Sequence, residues 1–395
     1  MPVGMVCKWP HMVLRLDSKG QPPYAGQGEL DGFRSQVLIG RRKEKSCAAG
    51  RDGVLPGQLL VLVAAVLVTT VLLATPGLRA QTCTTQAKMT PDLRNGLSDA
   101  ALRLGQFIQG GDVSKVQADT IAEFANGSAF APTAALVQAT SSRLASDTLQ
   151  VAQLYKLDAS SRSRGDSSDA SFSCPLTGTT SETDFAIPGL PPGVYGFAMV
   201  EAVGDRPWLL SFLLRQDEAG WKMAGFYPRA SAAAGHDGLW YWKSARDYAK
   251  ADELWLAWIF YSEADELMRP ANFATSTNLD RLRSDQRAAT PPELTNGIGT
   301  GNPLVVKTNG VAAEYRFTSI AAQEAEDGKQ LNLVLHLRVD DLIDPTAVTA
   351  RSKAAAQVML DAHIELRQAF QNVWVFADMA GHPPLLTEQT ISSIP

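Results

Sequence analysis

The chain has 395 residues, 45% of them hydrophobic and 19% charged, which is enough to bury substantial cores and too apolar for an intrinsically disordered protein. Its formal net charge of −5 is unevenly spread: residues 1–80 hold 10 of the 36 Lys and Arg and 5 of the 41 Asp and Glu, so residues 81–395 carry 26 basic against 36 acidic side chains, a net of −10. That balance leaves no basic footprint for nucleic acid.

Residues Leu59 to Ala74 form a run of sixteen without a charge. As a helix the run spans ~24 Å against the ~30 Å hydrocarbon core of a bilayer, so a cleaved export signal fits better than an anchor. Arg41, Arg42, Lys43, Lys45 and Arg51 precede it, and a small residue closes the following Thr75 to Ala80 segment, which places cleavage after Ala80. The alternative is a chain anchored by residues 59–74, and that uncleaved segment is the only membrane contact expected. Residues 1 to about 40 show no periodicity. Cys7 and Cys47 lie in the leader, leaving Cys83 and Cys174, a lone pair that reads as one disulfide in an oxidising compartment, with two free thiols as the alternative.

From Pro91 the pattern is helical, with Leu97, Ala101, Leu104 and Ile108 on one face, a stop at Gly110-Gly111 and Asp112 as the next cap. Shorter helices follow around Val116 to Phe124 and from Pro132. A strand is expected over Gln150 to Leu157, then a Ser-rich loop, SSRSRGDSSDASFS, whose composition predicts mobility. Three more strands, Val194 to Val203, Trp208 to Arg215 and Trp221 to Tyr227, are separated by Gly204-Asp205 and Asp217 to Gly220 as in an antiparallel meander. Helices first, then a meander closing on GWKMAGFYP, resembles the ketosteroid-isomerase/nuclear-transport-factor-like fold. The resemblance implies a curved sheet wrapped round a helix with a cone-shaped pocket, and in such a pocket Glu201 is the candidate base.

The stretch LWYWKSARDYAKADELWLAWIFY, residues 239–261, gathers four of the eight tryptophans. Tyr241, Ala245 and Tyr248, then Ala257, Tyr261, Ala264 and Pro270, stand at the intervals of one helix-turn-helix unit, and the spacing resembles the tetratricopeptide repeat. The resemblance implies two closely packed helices in which small residues make room for rings. Trp255 and Ile259 form a second stripe that must meet either another part of the chain or an external peptide or glycan. Trp240 and Trp242, just after His236-Asp237-Gly238, are the candidate exposed rings.

After a polar linker, Leu304 to Thr308, Asn309-Gly310 and Val311 to Phe317 read as a hairpin with a type I′ turn. Leu331, Leu333, Leu335, Leu337 and Val339 alternate with Asn332, Val334, His336, Arg338 and Asp340 as in a half-buried strand. Asp344-Pro345 opens a helix buried through Val348, Ala355, Met359, Ala362 and Leu366, and Val373 to Phe376 and Leu385 to Ile391 are expected to return to the sheet. The expected fold class is therefore α+β. Residues 1–80 are the extension and signal, 81–230 an α+β domain, 231–298 the helical hairpin with its linker, and 299–395 a second α+β domain.

Catalytic signatures are missing from the sequence: no Gly-rich phosphate loop, no paired-cysteine zinc spacing, no His-Glu-x-x-His and no Gly-x-Ser-x-Gly elbow. No cofactor or metal is expected. His236 with Asp237 is the one local acid-base pair, and helix capping by Asp237 is its structural explanation. His336 falls on the polar face of its strand, His363 is misaligned with Glu365 on a helix, and His382 precedes two prolines. These features favour an exported, non-enzymatic binding or assembly protein of the cell envelope, of bacterial type, whose partner is an envelope protein or a glycan. The alternatives are a small-ligand carrier or pocket enzyme in the first domain, working through Glu201, and a glycan binder using Trp240 and Trp242.

Overall fold

Thr90 begins the described fold's first long helix for reasons legible in three residues. Its hydroxyl accepts the Leu93 N–H, Pro91 supplies a helical φ at the first position, and Leu97, Ala100, Ala101, Leu104 and Ile108 line one buried face of α1 (Pro91–Gln109). Gly111, at φ +67°, ends it, and the Asp112 carboxylate accepts the Lys115 N–H to start α2 (Val113–Ala118). Two further helices, α3 (Ala122–Ala125) and α4 (Ala131–Ser141), complete this layer. The computed structural model describes residues 81–144, 147–307 and 313–395, all within one compact unit; the apolar run 59–74, the cleavage site and the Asn309-Gly310 turn lie outside the described residues.

The helical layer covers one face of an antiparallel sheet ordered β1 (Thr82–Thr85), β2 (Thr148–Asp158), β5 (Val194–Val203), β6 (Trp208–Asp217), β7 (Gly220–Ala230). Period two splits each strand between two cores: Leu154, Ala198, Val200, Leu210 and Phe212 face α1, while Tyr155, Leu157, Tyr195 and Phe197 face away from it. A Cβ on Gly196 would come within 2.2 Å of Leu97 Cδ2, so the glycine is what lets α1 settle on β5.

The far face is not open. A second, three-stranded sheet ordered β10, β4, β3 covers it, made of β3 (Ala170–Pro175), β4 (Glu182–Ile187) and β10 (Ala274–Ser276). Neither β3 nor β4 is expected from the sequence, because the Ser-rich composition masks their alternation. The loop before β3 is also folded rather than loose: the buried Arg162 guanidinium donates to the backbone carbonyls of Asp166, Ser168, Asp169 and Leu190, using the loop's own C=O groups as acceptors. Cys83 on β1 and Cys174 on β3 form a disulfide, with Cα atoms 5.3 Å apart, and so tie the two sheets together.

A two-stranded ribbon of β8 (Ala232–Ala233) and β9 (His236–Asp237) leads to Asp237, which caps α5 (Gly238–Lys250); the chain turns back through α6 (Leu254–Met268), and α7 (Thr277–Ala288) packs beside them. Ala245, Ala257 and Ala264 are fully buried where the helices meet, with Tyr241, Tyr261 and Phe260 filling the space around them. The same core continues into the last sheet, β11 (Leu304–Lys307), β12 (Glu314–Glu324), β13 (Leu331–Arg338), β14 (Asn372–Asp378) and β15 (Leu385–Thr390), in that order. β13 and β14 run parallel, joined by the crossover helix α8 (Pro345–Ala362), whose cap is the Asp344 carboxylate. Leu331 to Val339 alternate as expected, but Asn332 and Val334 are also buried, Asn332 accepting a hydrogen bond from Asn372. α8 stops at Ala362, one turn short of the expected run, so Ala362 is exposed and Leu366 belongs to a separate short helix, α9 (Leu366–Ala369). The α+β class holds throughout, and no helix among the described residues is long and apolar enough to cross a membrane.

Replacing Cys83 and Cys174 together by Ala is expected to lower stability by roughly 2–5 kcal/mol in urea unfolding, because the bridge closes a long loop and holds a sheet too small to stand alone. Peptide mapping without reductant recovers the two cysteines in one cross-linked fragment; separate alkylated peptides contradict the pairing.

Candidate functional site

The outward face of the three-stranded sheet forms the floor of an open cleft of about 610 Å³. Alternation along β3 buries Ala170, Phe172 and Cys174 and turns Ser171 and Ser173 outward; along β4 it buries Phe185 and Ile187 and leaves Asp184 half-exposed beside them. Register then makes a row, since Ser173 pairs with Asp184 and Asp184 with Thr275 on β10. Gln81, Asn272 and Arg283 complete the polar lining.

Several of these groups are held in place by the fold. Arg283 donates through Nε to Asp265 Oδ1 at 2.9 Å and through Nη1 to the Thr275 hydroxyl at 3.0 Å, and that hydroxyl donates to Asp280. Asn272 Oδ1 accepts from Arg229, which leaves its amide N–H groups as donors. Ser173 donates to Glu182 at 2.9 Å. Among the described residues the Asp184 carboxylate has no partner, nor has Gln81 Oε1, which is buried, nor the exposed Ser171 hydroxyl. A buried acceptor without a donor costs free energy until something donates to it. Chemically the cleft offers an anionic acceptor, an amide, hydroxyls and a guanidinium, a set that hydrogen-bonds a polar ligand. Histidine and cysteine are absent from its lining, and its hydroxyls on Ser173 and Thr275 are held by the carboxylates of Glu182 and Asp280.

The residues singled out in the sequence are elsewhere. Glu201 lies exposed on β5 and accepts from Gln150 at 3.2 Å; the cone in which it would act as a base is filled by side chains, with Phe212 and Phe226 stacked at 5.3 Å. Asp237 is spent on its cap, accepting the Trp240 N–H at 2.8 Å, while exposed His236 stacks on Trp240 at 3.7 Å, so the two are not an acid-base pair. Trp240 is 40% exposed and Leu239 beside it 62%. Trp242, expected to share that exposure, is 6% exposed: its indole N–H donates to Asp285, and Arg246 lies over the ring at 4.5 Å. A flat two-tryptophan platform is therefore not formed. Trp255 and Ile259 are also buried, Trp255 against His363 at 4.3 Å, so the second stripe is covered by the chain's own C-terminal part and is closed to a partner. Burial also lowers the pKa of His363.

His336 Nδ1 pairs with Asp378 at 2.7 Å and its ring stacks on Phe376. Ser319 stands opposite it in register but makes no hydrogen bond to the ring, so nucleophile and base are uncoupled. Among the described residues no group of three His, Cys, Asp or Glu is placed to hold a metal.

The most perturbed carboxyl is one the sequence did not single out. Glu263 lies on α6 in the hairpin core, and burial, followed by the negative charges of Glu266 and Glu324, pushes its pKa from 4.5 to about 8. Its neighbour Asp265, also buried, is paired by both Arg269 and Arg283. Only the three-dimensional placement of cations separates the two, so composition carries no signal for it.

A family-model scan, a search of curated proteins and a search of solved structures each found nothing that matches this chain.

Because the Glu263 pKa is raised in the folded state, the unfolded chain releases this proton first, and stability is fully present below about pH 4.5 and falls as pH rises toward about 8. Glu263→Gln is expected to remove that decline, measured as urea midpoints across the pH range; an unchanged profile means the carboxyl is ionised in the fold. Trp242→Ala and Trp255→Ala are expected to cost about 3–5 kcal/mol each and Trp240→Ala under about 1 kcal/mol in the same assay.

Proposed function

We propose that this is an exported, non-catalytic binding protein that holds a small polyhydroxylated ligand, such as a short glycan, in the cleft over β3, β4 and β10. One observation carries the reading: the Asp184 carboxylate is half-exposed at the cleft without an internal donor, beside the amide N–H groups of Asn272. A carboxylate accepts two hydrogen bonds from neighbouring hydroxyls of a sugar, while the amide and guanidinium donate to others. Export is supported by the disulfide, which persists in oxidising compartments, together with the basic-flanked apolar run at 59–74.

A second reading, assembly with an envelope protein, is favoured by the ledge of Leu239 and Trp240 at the start of α5, where two large apolar side chains face solvent side by side. Trp240→Glu then abolishes capture of that partner and leaves ligand binding in the cleft unchanged.

The deciding experiment for the first reading is a thermal-shift screen against mono- and oligosaccharides, in which a ligand at a hundred times its Kd adds ~2.7 kcal/mol of stability. Asp184→Ala is expected to weaken the hit by about tenfold or more, since hydrogen bonds to a charged group contribute roughly 1.5–3 kcal/mol. Arg283 is unsuitable for this test, because its loss strips a cation from buried Asp265. Silence across the library, or a hit indifferent to Asp184, rejects the reading.

A further inference from the structure

At one end of the C-terminal sheet three arginines from three elements line a second cleft, of about 240 Å³: Arg316 on β12, Arg338 on β13 and Arg351 on α8. Arg316 and Arg338 stand directly opposite each other in the antiparallel register. Like charges so placed destabilise a sheet unless something neutralises them.

The protein's own carboxylates do this incompletely. Glu314 is used to aim two of the three guanidiniums: its side chain accepts from Arg316 Nε at 2.7 Å, and its backbone carbonyl accepts from Arg351 Nη2 at 2.9 Å. Arg351 is further fixed over the Tyr315 ring at 5.4 Å. Asp378 faces Arg338 in the parallel register with β14, but its carboxylate is taken up by His336 at 2.7 Å. The Arg338 guanidinium makes no hydrogen bond or ion pair among the described residues. Asp340 lines the same cleft. Two guanidiniums are thus pre-aimed and a third is unengaged around a space open to solvent.

We propose that Arg316, Arg338 and Arg351 bind the oxyanion group of a small solute, a phosphate, sulfate or carboxylate. The planar fork of arginine matches two oxygens of such a group at once, and three forks around one cavity match a single anionic centre. The Asp340 carboxylate and the net −10 of residues 81–395 repel an extended polyanion, which selects a small anion over nucleic acid. This site shares no residue with the cleft over β3, β4 and β10.

The test is calorimetric titration of the full-length protein with inorganic phosphate at constant ionic strength, chloride making up the balance. Saturable binding with a Kd on the order of 1 mM is expected. Arg338→Gln removes a side chain with no internal partner, so folding is retained and affinity falls by about tenfold or more. Arg351→Lys keeps the charge and loses the fork, and weakens binding to a smaller extent. Arg143→Gln, on an exposed turn elsewhere, leaves it unchanged. Competition by sulfate supports a tetrahedral group as ligand, and competition by acetate alone supports a carboxylate. Absence of saturable heat up to about 50 mM phosphate, or an Arg338→Gln affinity within about twofold of the parent, overturns the proposal.

Discussion

Burial of the five-stranded sheet β1-β2-β5-β6-β7 on both faces is the constraint from which the N-terminal half of the structure follows. Its central strands are apolar on successive residues, with Tyr195 and Phe197 on one side of β5 and Ala198, Val200 and Ala202 on the other. A sheet of that composition cannot present either face to water. Helix α1 closes one face, and Gly196 makes the contact close enough. The other face needs a lid that the first 230 residues supply only in part, since β3 and β4 are a single short hairpin. Two additions make that lid whole: the disulfide to β1, and β10, a three-residue strand delivered from beyond the helical hairpin. The Arg162 guanidinium, bonded to four carbonyls, fixes the approach to β3.

The cleft is a by-product of that closure. Because β10 must reach β4, the chain after α6 runs along the β4 edge of the small sheet and carries Asn272 and Thr275 to the cleft, while α7 brings Arg283. Arg283 is shared between the cleft and the hairpin core, holding Thr275 with one nitrogen and Asp265 with another. Arg283 and Thr275 are thus already positioned at the cleft before a ligand arrives, which lowers the ordering entropy that binding costs. The hairpin, in turn, is sealed against the C-terminal sheet, so that its many rings serve packing with the exception of Trp240.

Charge is managed differently in the hairpin core and at the surface of the C-terminal sheet. Asp265 is paired in the interior with two arginines, whereas Glu263, two positions along the same helix, has acidic neighbours and no ion-pair partner among the described residues, and burial together with those charges raises its pKa to about 8. At the surface of the C-terminal sheet the imbalance has the opposite sign, with three guanidiniums sharing two carboxylates.

Local signals in the sequence were sufficient wherever one residue type or one period decides the outcome. Asp112, Asp237 and Asp344 mark helix starts because a side-chain oxygen can satisfy an orphan N–H only there, and Leu331 to Val339 mark a strand because every second residue is apolar. The alanines at 245, 257 and 264 foretell a close helix pair for the same kind of reason. The sequence was silent where the outcome depends on residues far apart. β10 is a strand only because β4 offers it an edge, Trp242 is buried only because Asp285 and Arg246 meet it, and Glu201 is exposed because the sheet that covers its neighbours stops short of it. The row Ser173, Asp184, Thr275 joins positions about a hundred residues apart, and the pairing of Arg316 with Arg338 is set by a strand register shifted by a bulge after Phe317. The sequence by itself determined the class, the caps, the periodicities and the candidate cysteine pair, all of which arise from neighbours within a few residues; the tertiary structure alone decided which faces are covered and which polar groups are left unpaired, because burial and register are properties of the assembled chain.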